Sequence, residues 1–143
     1  MHCIDPDKTV IFPWGIDLKQ FSPKASSSAE TPKSKVVNRK SLTLFCNRTW
    51  EEIYGVDVLA KSFVKVAAAN PKVNLILLGG GSQGAKIRQI LMNGGVLDRV
   101  HFGGHVAQAD LPRWYHMADL YISPSHVDGS SVSLMEALAS GLP

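Results

Sequence analysis

Four times along this chain, a short run of apolar and branched or aromatic residues gives way to a loop and then to apolar positions at helical spacing. The first unit is Ser41-Leu-Thr-Leu-Phe-Cys46, a loop over 47–55, and a helical face of Val56, Leu59, Ala60, Phe63, Val64 and Ala67 that stops near Asn70-Pro71. The second is Val73-Asn-Leu-Ile-Leu-Leu78, a turn over 79–84 and a helix over 85–92. The third has a strand over 99–102 and a helix over 108–117 carrying Leu111, Trp114 and Tyr115. The fourth has a strand over 120–122 and a helix over 131–140, with Gly141 and Pro143 as its stop signal. Apolar runs this short and this continuous predict buried strands. Strands alternating with helices predict an α/β, Rossmann-like parallel sheet with flanking helices, which takes its ligands at the carboxyl ends of the strands. The loops 47–55, 79–84, 103–107 and 123–131, rich in glycine or carboxylates, all fall at those ends.

The chain has 143 residues, 45% hydrophobic and 19% charged, which is enough for one folded core. A net charge of +3 is mild, and no nucleic-acid partner is expected from it. No apolar run approaches the roughly 18 residues of a membrane span, and the N-terminus lacks the apolar segment of a secretory leader. Cys3 and Cys46 read as two buried, reduced thiols of a cytoplasmic protein, and no His, Cys or Asp cluster has metal-ligand spacing. Residues 24–40 are rich in Ser, Lys and Pro and predict a flexible surface loop. Lys33, Lys35, Arg39 and Lys40 give it two readings, a solvated basic loop or peripheral contact with an anionic membrane.

Chemistry concentrates in Ser123-Pro-Ser-His-Val-Asp-Gly-Ser-Ser-Val-Ser-Leu-Met-Glu136 and the Ala137-Leu-Ala-Ser-Gly-Leu-Pro143 that follows. Asp128 lies in the loop and Glu136 about a turn into the helix. Between them Gly129, Ser130 and Ser131 leave backbone N–H groups at a helix start, which carries roughly half a positive charge and suits a diphosphate. The flanking carboxylates would accept hydrogen bonds from hydroxyls on either side, a layout that fits a nucleotide sugar. The same residues admit a plainer reading: Ser133-Leu-Met-Glu136 has the spacing of a capping box, and Asp128-Gly129 is an ordinary turn pair. A second candidate, Gly79-Gly-Gly-Ser-Gln-Gly84, satisfies the dinucleotide pattern between a strand and a helix. It follows the second strand, however, and about 20 residues on the chain offers His101 and Gly103 where a ribose-binding acid is needed, which argues against a nicotinamide dinucleotide.

Ser125-His-Val-Asp-Gly129 and Glu136-Ala-Leu-Ala-Ser-Gly-Leu-Pro143 resemble the signature of the retaining glycosyltransferases of the glycogen-synthase-like group 1 (family 4), which have the GT-B fold. The departures are Asp128 where that signature has glutamate, and Ser130 and Ser131 where an aromatic residue and a glycine are common. The resemblance runs over 8–143. Within it, 8–23 resembles the segment Val-Ile-Pro-Asn-Gly-Val-Asp…Phe-x-Pro that joins the acceptor domain to the donor domain and lines the cleft between them, with Trp14 at the asparagine position. Read from its residues alone, the segment is a short strand over 8–12 and a loop held by Trp14 and Phe21, with Gly15 in a turn that needs positive φ. Leu77-Leu-Gly-Gly-Gly-Ser82 resembles the family's Val-Gly-x-Gly turn beside the donor nucleotide, which places Gly80 and Gly81 near the ligand. Phe102-Gly-Gly-His-Val106 resembles the segment near the nucleobase and brings in His105. Arg48 matches an arginine that contacts the donor diphosphate, and a guanidinium suits two phosphate oxygens at once. Its other reading is a surface ion pair with Glu51 or Glu52. The lysine that accompanies this arginine in the family is replaced by Tyr54, just before Gly55.

The resemblance implies the donor-binding half of a GT-B enzyme, incomplete at its C-terminus: an interdomain segment and first strand over 1–23, the loop over 24–40, and the nucleotide-sugar-binding domain over 41–143. It implies that Asp128 and the amides of Gly129, Ser130 and Ser131 hold the transferred sugar, with Val132 beside them. Glu136 then takes the ribose hydroxyls and Arg48 the diphosphate. The donor would be a UDP-, GDP- or ADP-sugar and the acceptor a sugar or lipid, with no cofactor and no metal. The acceptor-binding domain would lie outside this chain, which then reads as a fragment. Its alternative is a non-catalytic nucleotide-sugar-binding module that needs a partner chain, a reading favoured by Tyr54 and Asp128.

Overall fold

The computed structural model describes residues 15–24 and 41–143. The strand expected over 8–12, Trp14, Cys3 and the basic residues 33–40 lie outside them. The elements are β1 (Leu42–Cys46), α1 (Val56–Ala69), β2 (Val73–Leu78), α2 (Gly84–Asn93), β3 (Val100–Gly104), α3 (Leu111–Met117), β4 (Leu120–Tyr121) and α4 (Val132–Ala139). The four strands form one parallel sheet in the order β3-β2-β1-β4. Leu44 of β1 stands beside Leu75 of β2 on one side and Leu120 of β4 on the other.

The apolar runs are continuous because both faces of the sheet are covered. Leu44, Cys46, Leu75 and Leu77 point to one face, where Leu59, Phe63 and Ala67 of α1 and Ile87 and Leu91 of α2 bury them. Phe45, Ile76, Leu78 and Tyr121 point to the other, against Phe21, Tyr115 of α3 and Ala137 of α4. The chain therefore leaves β1 toward one face and leaves β4 toward the other. The two strands lie side by side, so the loops that follow them part and leave a crevice at the reversal of strand order.

Two expected boundaries move. The helix expected over 108–117 is a 3-10 turn, Gln108–Asp110, followed by α3, with Pro112 in the first helical turn. Proline lacks the N–H that a helix interior needs and is at home in a first turn, so it marks where α3 begins. The fourth strand is only Leu120–Tyr121, although Ile122 still donates to the carbonyl of Phe45 at 2.8 Å. Gly15 is exposed, and the turn expected there rests on Trp14, outside the described residues. The segment 15–24 docks through Phe21, buried edge-on to Tyr115, through Gln20 Nε2 donating to the carbonyl of Gln108 at 2.7 Å, and through His116 Nε2 at 2.8 Å from the carbonyl of Ser22. Among the described residues no helix is long and apolar enough to cross a membrane.

Candidate functional site

At the carboxyl ends of β1 and β4 lies a cavity of about 270 Å³. Asn47, Arg48, Thr49 and Tyr54 line it from the loop after β1, and Val132, Ser133 and Glu136 from the first turns of α4. Gln108 and Leu111 close its third side. Of the residues singled out in the sequence, Arg48, Val132 and Glu136 therefore share one wall-to-wall space.

Arg48 is the hub. Its Nη2 pairs with Asp128 at 2.8 Å, and its Nη1 donates to Ser133 Oγ at 3.0 Å and Ser131 Oγ at 3.4 Å. Its guanidinium lies over the Tyr54 ring, 4.5 Å from the centroid, a cation–π contact that fixes the plane of the fork. Its Nε is buried with no acceptor. A buried donor left unpaired costs about 1–3 kcal/mol, which an incoming oxygen would recover. The surface pair with Glu51 or Glu52 does not form. Glu51 accepts from the amide of Ser82 at 2.8 Å and from its hydroxyl, and these bonds hold its carboxyl below the ordinary range.

The capping-box reading of Glu136 fails on tertiary grounds. The N-cap of α4 is Ser131, whose Oγ accepts from the Leu134 amide at 3.3 Å, so the capping box on Ser133 does not form. The carboxylate is 2% exposed, and a buried carboxylate requires hydrogen-bond donors. Tyr115 donates to Oε2 at 2.8 Å and Gln108 Nε2 to Oε1 at 2.8 Å. The Tyr115 hydroxyl accepts in turn from Asn47 Nδ2 at 2.9 Å. The Tyr121 hydroxyl lies 2.9 Å from Asn47 Oδ1 and 2.7 Å from Ser133 Oγ. Burial first, then the charge of Glu136, pushes the Tyr115 phenol far above its ordinary value. Burial does the same to Tyr121, so both stay protonated and able to donate.

Asn47, Gln108 and Ser133 line the cavity and Tyr115 and Tyr121 bond to its lining, and sequence reasoning named none of the five as candidate site residues. Two signals pointed to them: Asn47 is the first polar residue past a buried strand, and a tyrosine on an apolar helical face needs a partner for its hydroxyl. Cys46, one position earlier, is a core residue whose thiol burial pushes up to about 11, which leaves it unreactive.

Because α4 begins at Val132, its first-turn amides belong to Val132 and Ser133, later in the chain than the Gly129 and Ser130 expected at the helix start. Gly129 and Ser130 are exposed in the loop, Ser131 caps the helix, and Asp128 reaches the site through Arg48. The glycine turn after β2 is a different place. A Cβ on Gly81 would stand 2.5 Å from Glu51 Oε1 and 2.7 Å from the Trp50 carbonyl, and one on Gly80 would stand 3.2 Å from His105 Nε2. Gly80 and His105 thus neighbour each other outside the cavity wall, and Gly15 is not part of that wall. His126 is exposed, its amide donating to the Ile53 carbonyl at 2.9 Å. Among the described residues no three His, Cys, Asp or Glu side chains gather as a metal set.

A parallel sheet with its crevice at the reversal of strand order, walled by an arginine and a helix start, defines a Rossmann-like domain of the GT-B glycosyltransferase architecture. The C-terminal domain of a glycosyl transferase group 1 family protein from Francisella tularensis superposes with a TM-score of 0.71 at 19% identity, covering 90% of this chain and 68% of that one. The pneumococcal O-GlcNAc transferase, solved in complex with UDP and GlcNAc, superposes with a TM-score of 0.67 at 26% identity, covering 76% of this chain and 21% of that one. Residues 40–143 match the family described as glycosyl transferases group 1, and the chain belongs to that family. Among curated relatives, a GDP-mannose-dependent monoacylated alpha-(1-6)-phosphatidylinositol monomannoside mannosyltransferase of Corynebacterium glutamicum is 28% identical over 92% of this chain and 36% of its own. A D-inositol 3-phosphate glycosyltransferase of Segniliparus rotundus is 32% identical over 99% of this chain and 32% of its own. The chain thus spans about a third of the length of these relatives.

Proposed function

We propose that this chain binds the nucleotide-diphosphate-sugar donor of a retaining glycosyltransferase of family 4 type, and that a domain outside it supplies the acceptor. The observation that carries the reading is the meeting of Arg48 and Glu136 in one cavity at the start of α4. Arg48 and the first-turn amides of α4 hold the diphosphate, and their fixed positive charge stabilises it as the leaving group. Glu136 accepts the ribose hydroxyls. Asp128, released from Arg48 by the phosphates, takes hydroxyls of the transferred sugar together with the amides of Gly129, Ser130 and Ser131. Gly80, Gly81 and His105 lie toward the nucleobase, with Gly15 at the edge of the cleft. No metal or cofactor enters this scheme. The site works in the cytoplasm, where residues 33–40 allow peripheral contact with a membrane that presents a lipid acceptor.

Calorimetric titration of the full-length protein with UDP-, GDP- and ADP-sugars tests the donor reading. The Corynebacterium relative is GDP-mannose-dependent, which makes GDP-mannose the first compound to try. Binding of one donor in the micromolar range, followed by transfer to a sugar or glycolipid acceptor with the anomeric configuration unchanged, supports the proposal. Failure of every nucleotide sugar to bind overturns it. A second reading is a non-catalytic nucleotide-sugar-binding module, favoured by Tyr54, whose ring is occupied by Arg48 and offers the phosphates no cation. Donor binding without transfer, even when an acceptor domain is added as a separate chain, would select that reading.

A further inference from the structure

We infer that Tyr115 is a positioning residue for ribose recognition, its hydroxyl fixing one oxygen of Glu136 so that the other, now covered by Gln108, is the one a ribose diol takes. This rests on the donor-binding reading above.

The two oxygens of Glu136 live in different surroundings. Oε2 faces inward, to a hydroxyl whose own residue is 1% exposed. Tyr115 cannot swing: Phe45 and Phe21 meet its ring edge-on with centroids 5.1 Å and 5.9 Å away, and Asn47 donates to its oxygen. A phenol has a single proton, and of its two acceptors the carboxylate at 2.8 Å is stronger than the Ser133 carbonyl at 3.0 Å. The pair therefore aims the carboxylate and holds it against rotation.

Oε1 is bonded to Gln108, an exposed glutamine on a short 3-10 turn that lines the cavity together with Glu136. The main chain of that turn is anchored separately, by Gln20 Nε2 on the Gln108 carbonyl at 2.7 Å. The Gln108 amide can leave Oε1 without the turn giving way. Two adjacent ribose hydroxyls supply donors of the same kind to the oxygen it vacates. Gln108 is thus a placeholder, and Tyr115 decides where the vacated oxygen points.

The test compares dissociation constants of the full-length protein for UDP, GDP and ADP with those for their 2′,3′-dideoxy counterparts. The wild type is expected to prefer the ribonucleotide of its matching base, and Tyr115→Phe to reduce that preference about tenfold while leaving the dideoxy affinity unchanged. Gln108→Ala, at an exposed position, is expected to raise ribonucleotide affinity about threefold and to leave the dideoxy affinity unchanged. Equal losses for both nucleotides in Tyr115→Phe would mean a purely structural role and overturn the inference, as would an unchanged preference. A fall in ribonucleotide affinity in Gln108→Ala would overturn the placeholder. A wild type that binds both sugars equally removes Glu136 from the ribose and this inference with it, while the donor reading stands on the diphosphate. A wild type that binds no nucleotide at all ends both.

Discussion

The turn after β2 and the turn after β4 are built from the same parts: a buried strand, small residues and the start of a helix. In the first, the protein fills the space itself. Trp50 donates through Nε1 to the Leu78 carbonyl at 3.0 Å, its amide bonds Gly80, and Glu51 occupies the Ser82 amide as an anion would. In the second, the space over the helix start is a cavity with an arginine on its wall. The difference comes from the neighbours. The loop after β1 folds over the β2 turn, because Trp50 belongs to the core on that face. On its other side β1 meets β4, where the connections diverge and, among the described residues, leave an opening bordered by Gln108 and Leu111. A glycine-rich pattern between strand and helix is therefore no guarantee of a phosphate site, since the glycines of 79–84 are needed to admit the protein's own backbone.

If that contrast is right, substitutions in the two turns separate affinity from stability. The largest effect is expected from Arg48→Ala, which should weaken nucleoside diphosphate binding on the order of a hundredfold by calorimetry, while Glu51→Ala leaves it within about twofold. Equal losses in the two would erase the distinction. Glu136→Gln keeps the shape but removes the charged acceptor, and should lower ribonucleotide affinity about tenfold. Gly81→Ala forces a Cβ against Glu51 and Trp50 at a φ of +156°, and should cost about 1–3 kcal/mol in urea unfolding, with nucleotide affinity falling far less than in Arg48→Ala. Ser131→Ala removes the cap on Leu134 and should cost about 1 kcal/mol.

The smallest effect is a pH dependence. The Ser82 bonds hold the Glu51 carboxyl below its ordinary value, so the folded chain takes up that proton less readily than the unfolded one. The contribution is present above the usual carboxylate range and fades as pH falls through the lowered value. Glu51→Gln should flatten the acid side of a stability profile measured from about pH 6 to pH 3, lowering stability toward neutrality and converging with the wild type at the acid end.

The layered architecture was legible because each of its signals is local. Leu44, Phe45 and Cys46 announce a strand with both faces covered, and Leu59, Ala60 and Phe63 announce a helix with one. The site was legible only in part. Nothing near Glu136 tells whether Ser131 or Ser133 caps the helix, since both stand before the same apolar run, and the choice falls to Tyr115 and Gln108, 21 and 28 residues away. Asn47 shows nothing in its own neighbourhood either, because its partners Tyr115 and Tyr121 lie 68 and 74 positions on. The ion pair that the sequence offered Arg48 was with its neighbours Glu51 or Glu52, and the observed one is with Asp128. Pro112 did mark the start of α3 in the sequence, but the apolar spacing that continues upstream of it hid the boundary.

A crevice that arises from the order in which strands are laid down belongs to the topology and not to any one side chain. Drift in the residues after β1 and β4 can retune what is held there, while the sheet beneath goes on presenting the opening unchanged. Loss of Arg48 would thus leave a vacant but intact mould, one that selection could refit without first rebuilding the scaffold.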